Sequence, residues 1–172
     1  MSVEMGKYSY GNIEEFGRGE IVVGKFCSMA LDIKAVFFND HRMDWISTYQ
    51  FAKKWGLPEV DDEGSIGSNR LIIIENDVWI GRGVTLLPGA QICNGAVVGA
   101  FSIVAGTIPP YTIAVGNPAK PFRKRFSDKQ IQKLLQIQWW NWKDKKIKRF
   151  AYLLSSTNID KFISKSTRKR GR

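Results

Sequence analysis

The sequence predicts an all-β solenoid, a chain wound from many short strands, and three observations carry that expectation. Between Ile74 and Pro109 it reads in sixes as IENDVW, IGRGVT, LLPGAQ, ICNGAV, VGAFSI and VAGTIP. Aliphatic residues recur at Ile74, Ile80, Leu86, Ile92, Val98 and Val104, and four residues after each stands Val78, Val84, Ala90, Ala96, Ser102 or Ile108. Glycine fills the intervals, at Gly81, Gly83, Gly89, Gly95, Gly99 and Gly106. A period of six is neither helical nor two-residue alternation, so it marks a strand and a tight turn repeated along the chain.

In each repeat the aliphatic first position points inward and stacks on its equivalent one coil away, at the ordinary strand spacing of about 4.8 Å. The small or β-branched fifth position fills the corner beside it, glycine permits the close turns, and three repeats complete one triangular coil. The same phase appears earlier in VGKFCSMALDIKAVF, with Val23, Met29 and Ala35 at the first position and Cys27 and Ile33 at the fifth. SNRLII, from Ser68, rejoins it with Ile72. The stretch from about 38 to 67 does not fit and must leave the coil as a long loop, and loops of that length inside a compact domain are usually functional or disordered. After Pro109 and Pro110 the period breaks, and YTIAVGNPAKPFRKRF reads as a final irregular coil. SDKQIQKLLQIQWWNWKDKKIKRF then turns helical, with a capping box from Ser127 to Gln130, Ile131, Leu134, Leu135 and Gln138 on one side, and lysines at its end. Trp139, Trp140 and Trp142 fold this helix back on the solenoid in preference to a membrane interface, since the apolar face is not extensive. The expected organisation is a repeat domain over 1–126 with the extruded loop, a helical segment over 127–154 and a basic tail over 155–172.

At 172 residues the chain is one domain, long enough to bury a core. No window is apolar enough to span a bilayer, and MSVEMGKYSYG lacks the pattern of a signal peptide, so the expected location is the cytoplasm. Cys27 and Cys93 sit in strand-like patterns and read as reduced packing residues. The net charge of +10 is uneven: before Lys120 there are 9 Lys/Arg against 13 Asp/Glu, and from Lys120 onward 17 against 3. That asymmetry suggests an anionic partner for the C-terminal part, whether nucleic acid, an acidic membrane surface or a phosphorylated cofactor, although KSTRKRGR reads more simply as a solvated tail. His41, the only histidine, lies in FFNDHRMDWISTYQF at the base of the loop, where the chain leaves a rigid scaffold. Imidazole exchanges a proton near neutrality, as no other unperturbed side chain does.

The repeats, the NDVWIGRGVTLLPGAQI passage, the loop with DHRMDWISTYQF, the closing GNPAKPFRKRF and the helix with IQKLLQIQWWNW resemble the hexapeptide-repeat acyltransferases. The nearest branch is the xenobiotic class, which includes chloramphenicol and streptogramin acetyltransferases and related sugar or polysaccharide O-acetyltransferases. The match runs from about Gly6 to Phe150. The resemblance implies a left-handed parallel β-helix, a rare exception to right-handed crossover. It further implies a homotrimer with active sites between subunits, acetyl-CoA as donor and His41 as general base. Trp79 matches a tryptophan lining the cleft. Gly99, Ala100, Ala105 and Gly106 match coils along which the pantetheine arm runs, and Lys120, Arg123, Lys124 and Arg125 fall where basic residues meet CoA phosphates. Two positions depart from the pattern: Asn39-Asp40 stands where Gly-Asn is common before the histidine, and Gln50 where proline precedes the last phenylalanine.

A neutral His41 within reach of an acceptor hydroxyl could take its proton as the oxygen attacks the thioester, and a backbone N–H could hold the oxyanion. Asp40 and Asp44 could orient the imidazole, though carboxylates in a polar loop are usually just solvated. Tyr8, Tyr10, Arg42, Met43, Trp45 and Tyr49, with Trp55, are expected to shape the acceptor pocket, whose aromatic rings suit a sugar face or an antibiotic alike. The polar loop favours a sugar or surface-polysaccharide hydroxyl over chloramphenicol or streptogramin A. No metal is expected: a related zinc-binding solenoid, the γ-class carbonic anhydrase, needs three histidines. A non-enzymatic solenoid binding an anionic partner is the alternative of another class, but no nucleic-acid motif is present. Leu87, Val97 and Ile103, on the flat faces, are expected to meet other subunits.

Overall fold

The structure, a computed structural model, describes residues 3–37, 41–42, 44–58 and 70–167. The described strands form three sheets. The first takes β1 (Val3–Met5), β3 (Glu20–Val23), β6 (Leu71–Ile74), β9 (Gln91–Ile92) and β12 (Thr107–Ile108) in that order. The second runs β14 (Lys120–Lys124), β13 (Thr112–Val115), β10 (Val97–Val98), β7 (Trp79–Ile80) and β4 (Ser28–Met29); the third runs β11 (Ile103–Val104), β8 (Thr85–Leu86), β5 (Ile33–Phe37) and β2 (Ile13–Gly17). All pairs are parallel except β13 with β14. From β7 to β13 successive strands enter the second, third and first sheets in rotation, so each pairs with the strand three along. Ile74 pairs with Ile92, Ile80 with Val98 and Leu86 with Val104, three hexads apart each time. The last turn is two residues shorter, because Ile92 pairs with Ile108 and Val98 with Ala114.

Ile74, Ile80, Leu86, Ile92, Val98 and Val104 are at most 1% exposed, and Val78, Val84, Ala90 and Ala96 pack beside them, whereas Ile108, expected at a corner, lies opposite Ile92 in the inward series because the last turn is shorter. Ser102 is the polar member of the corner series; it is fully buried, and its hydroxyl accepts from the Gly116 N–H at 3.0 Å. Cys27 and Cys93 are free and buried, and burial pushes both thiols up. Of the interval glycines, Gly106 has open space around it and no left-handed φ, so it is not required by the turn.

β5 ends at Phe37 and β6 begins at Leu71, and the chain between carries α1 (Phe51–Trp55). Beyond the sheets come α2 (Asp128–Ile137), a 3₁₀ turn at Trp139–Asn141, α3 (Asp144–Leu154) and α4 (Ile159–Thr167). The Ser127–Gln130 capping box is present at the start of α2. Ile131 and Leu134 are buried, Leu135 is half-buried, and Gln138 is exposed in a left-handed cap. Trp139 and Trp140 are buried in a second core with Tyr111, Phe150 and Leu153, and the Trp139 ring lies 4.8 Å from that of Phe26. The expectation of a basic tail from residue 155 is corrected here: α4 lies within it, with Phe162 and Ile163 buried. Ile159, Phe162 and Ile163 recur at helical spacing and supply an apolar stripe that the excess of lysine and arginine hid. Among the described residues no helix is long and apolar enough to cross a membrane.

Candidate active site

One outward row crosses the second sheet. Tyr10 is bridged to Ser28, Ser28 lies opposite Trp79, Trp79 opposite Val97, Val97 opposite Ile113, and Ile113 opposite Arg123. Outward side chains in register on neighbouring strands stand side by side. A groove of about 440 Å³ is lined by this row from Ser28 to Arg123 and by Phe26, Asp77, Arg125 and Phe126. Trp79 is 57% exposed, a large aromatic face left open to solvent. The row therefore has an aromatic end at Tyr10 and a basic end at Arg123. The sequence points to Tyr10, Trp79 and Arg123 but not to Ser28 or Ile113, and it offers Val97 only as a subunit contact; counting three hexads on from Trp79 reaches Val97.

His41 is exposed, follows β5 of the third sheet in the chain, and is not among the residues that line this groove. Its Nδ1 is 2.5 Å from the Thr48 carbonyl, which can only accept. Nδ1 therefore carries the hydrogen, and in the neutral ring the lone pair is on Nε2. Asp44 does not serve His41: Arg42 binds it through Nε and Nη2 at 2.7 and 2.5 Å and holds its carboxyl down at about 2. Arg42 also lies 5.5 Å from the Trp45 ring, and Tyr49, Phe51 and Trp55 meet edge to face in series, with ring centres 4.8 and 5.0 Å apart. Ile46, Phe51, Trp55 and Leu57 are exposed in this segment, a run of apolar side chains left in water. Met43, Asn39 and Asp40 lie outside the described residues.

The other expected site residues are spread out. Gly99 and Ala100 follow β10, with the Gly99 N–H donating to Ala114. Ala105 and Gly106 are exposed between β11 and β12, at a different corner. Lys120, Arg123 and Lys124 are exposed on β14, Lys124 paired with Asp128. The Tyr8 hydroxyl donates to Asp144 Oδ2 at 2.6 Å, tying the N-terminal coil to α3.

Arg125 is bound into a corner. Its Nη1 donates to the Gly95 carbonyl at 2.5 Å and lies 3.7 Å from Asp77 Oδ2, and its guanidinium covers the Tyr111 and Phe126 rings. Phe26, Asp77, Gly95 and Tyr111 all take left-handed φ and stack as one column. The Asp77, Gly95 and Tyr111 N–H groups each donate to a carbonyl of the preceding turn, from Lys25, Asn76 and Asn94. Gly95 is required here, since a Cβ would stand 2.4 Å from the Tyr111 ring. Burial raises the Asp77 carboxyl from 3.8 to about 6, against the opposing pull of Arg125. Burial and the nearby Asp77 push the Tyr111 hydroxyl up as well.

Asp77 gives a pH prediction. Its folded-state value exceeds its unfolded value, so between them the folded chain keeps a proton that the unfolded chain has lost. Its stabilising contribution is full below 3.8 and is lost as the pH rises through about 6. The two-unit displacement corresponds to about 3 kcal/mol. Urea unfolding near pH 4 and near pH 7 should show Asp77→Asn losing less stability over that rise than the native chain by roughly this amount. Equal changes in both proteins would contradict the assignment.

Among the described residues no cluster of metal-ligating side chains occurs. Comparison with known proteins gives a family. Residues 72–106 match the profile described as bacterial transferase hexapeptide (six repeats). The chain is 38% identical over 170 residues to a probable macrolide acetyltransferase of Lysinibacillus sphaericus, covering 93% of each chain. It is 34% identical to a chloramphenicol acetyltransferase of Agrobacterium fabrum, covering 90% of this chain and 83% of that one. Among solved structures, the maltose O-acetyltransferase of Clostridium difficile 630 superposes with a TM-score of 0.55 at 28% identity, over 73% of this chain and 60% of that one.

Proposed function

Because the chain belongs to the bacterial hexapeptide-repeat acyltransferases, we propose that it transfers an acetyl group from acetyl-CoA to a hydroxyl of a sugar or surface-polysaccharide precursor. The observation that carries this reading is the row on the second sheet, which joins an aromatic end at Tyr10 and Trp79 to a basic end at Arg123. Rings suit the apolar face of a sugar, and guanidinium suits phosphate. Lys120, Arg123 and Lys124 are assigned to the CoA phosphates, whereas Arg125 is occupied with Asp77 and Gly95. The exposed residues Ala100, Ala105 and Gly106, and the half-buried Gly99, are assigned to the pantetheine arm.

In this reading His41 Nε2 takes the acceptor proton as the oxygen attacks the thioester carbonyl, a backbone N–H holds the oxyanion, and the imidazolium returns the proton to the departing thiolate. The Thr48 carbonyl fixes the tautomer that this requires. A second reading, with an antibiotic hydroxyl as acceptor, is favoured by the identity to macrolide and chloramphenicol acetyltransferases. Incubation with acetyl-CoA and separate sugars, nucleotide-sugars, chloramphenicol and streptogramin A, following free CoA, decides between them. Release with no acceptor in the panel would contradict both.

The coil is assigned a left-handed sense and the assembly a homotrimer. His41 follows β5 of the third sheet and is not among the residues lining the groove around Trp79 on the second, so in this reading a histidine from a neighbouring copy completes the site. The exposed Ile46, Phe51, Trp55 and Leu57, and the half-buried Leu87, Val97 and Ile103, supply apolar surface for such contacts. Light scattering at micromolar concentration should give a trimer mass; a monomer would remove the shared site.

A further inference from the structure

Behind the groove, between the left-handed column and the C-terminal helices, lies a second cavity of about 380 Å³. It shares Phe26, Ser28, Asp77, Arg125 and Phe126 with the groove, so the two spaces adjoin. Rings of Tyr8, Tyr10, Tyr111 and Trp139 and the side chains of Leu134 and Leu154 complete much of its wall. Tyr111 is 1% exposed, lines this cavity, and its hydroxyl has no hydrogen-bond partner among the described residues. A buried hydroxyl left unsatisfied is costly and calls for an explanation. Its neighbour Asp77 meets Arg125 only at 3.7 Å, because the guanidinium donates to the Gly95 carbonyl instead.

We propose that this cavity binds a neutral, hydroxylated ring, with a ligand hydroxyl accepting from Tyr111 and donating to Asp77. The proposal rests on the O-acetyltransferase reading: the ring is a part of the acceptor remote from the reacting hydroxyl. Three observations select the chemistry. A phenolic donor beside a carboxylate acceptor matches a hydroxyl, which both accepts and donates. Asp77 and Arg125 together carry no net charge, so a charged ligand would leave an uncompensated buried charge. The surrounding aromatic faces suit the apolar face of a pyranose or an aromatic ring. Hexosides and chloramphenicol share this chemistry, and binding tells them apart.

Saturation-transfer NMR and Trp fluorescence titrations with methyl glucoside, methyl galactoside and chloramphenicol, run without acetyl-CoA, test it, with glucosamine as the charged control. Tyr111→Phe should melt at a higher temperature, since it removes an orphan hydroxyl, yet bind the neutral ring roughly five- to tenfold more weakly. A purely structural tyrosine gives the first result without the second, and that outcome overturns the proposal. Tighter binding of glucosamine than of the neutral hexosides would also overturn it. Methyl glucoside or galactoside binding through Tyr111 identifies a sugar residue, and chloramphenicol binding through Tyr111 an antibiotic. The readout separates the two levels of inference. CoA release that Tyr111→Phe leaves unchanged at limiting acceptor sinks the cavity assignment while acyl transfer stands. Tyr111-dependent binding with no CoA release sinks the transferase reading and leaves a binding site.

Discussion

Replacing His41 with alanine is expected to lower turnover by about 10² to 10⁴ while leaving assembly and acetyl-CoA binding intact, because only proton transfer in the transition state is removed. His41 is exposed, so its removal opens no core cavity. A structural histidine behaves in the opposite way: its loss lowers the melting temperature and spares the chemistry of what remains folded. Single-turnover rates and melting curves on the same preparation separate the two. Near-native chemistry in a folded assembly would end the general-base assignment.

The second large effect concerns the coil. Leu86 is fully buried between Ala35 and Val104 of the neighbouring strands, so Leu86→Ala should cost about 2 to 5 kcal/mol, the range for truncating a buried leucine. Thr85, its neighbour in β8, faces outward and is half-buried, and Thr85→Ala should cost less than about 1 kcal/mol. Denaturant midpoints check this contrast. Comparable losses at both positions would mean that the period of six does not set which residues face inward.

The core was legible because a strict period fixes which way each side chain points whatever its partner turns out to be. Every aliphatic residue from Ile74 to Val104 at that period is buried. The slip of two residues after Val104 was not legible, since the hexads continue smoothly through VAGTIP while the pairing moves Ile108 onto Ile92. Helix α4 was hidden for a different reason: charge dominates the composition of the last segment, and three apolar residues at helical spacing carry little weight in a count. Tyr10, Trp79 and Arg123 could be named from sequence, but their alignment in one row depends on strand register. Asp77 and Arg125 were the hardest to read. A turn aspartate and a basic run both look solvated until the corner column and the helices close over them.

The bond that forms is the most direct test of the central claim. Acetyl-CoA carrying a labelled acetyl group, incubated with the protein and each acceptor that releases CoA, should leave the label on the acceptor as an oxygen ester, stable to neutral hydroxylamine and cleaved by alkaline hydroxylamine. The same label should fail to transfer in His41→Ala. Label held in a hydroxylamine-resistant amide, or transferred equally well by the alanine variant, would contradict histidine-assisted O-acetylation.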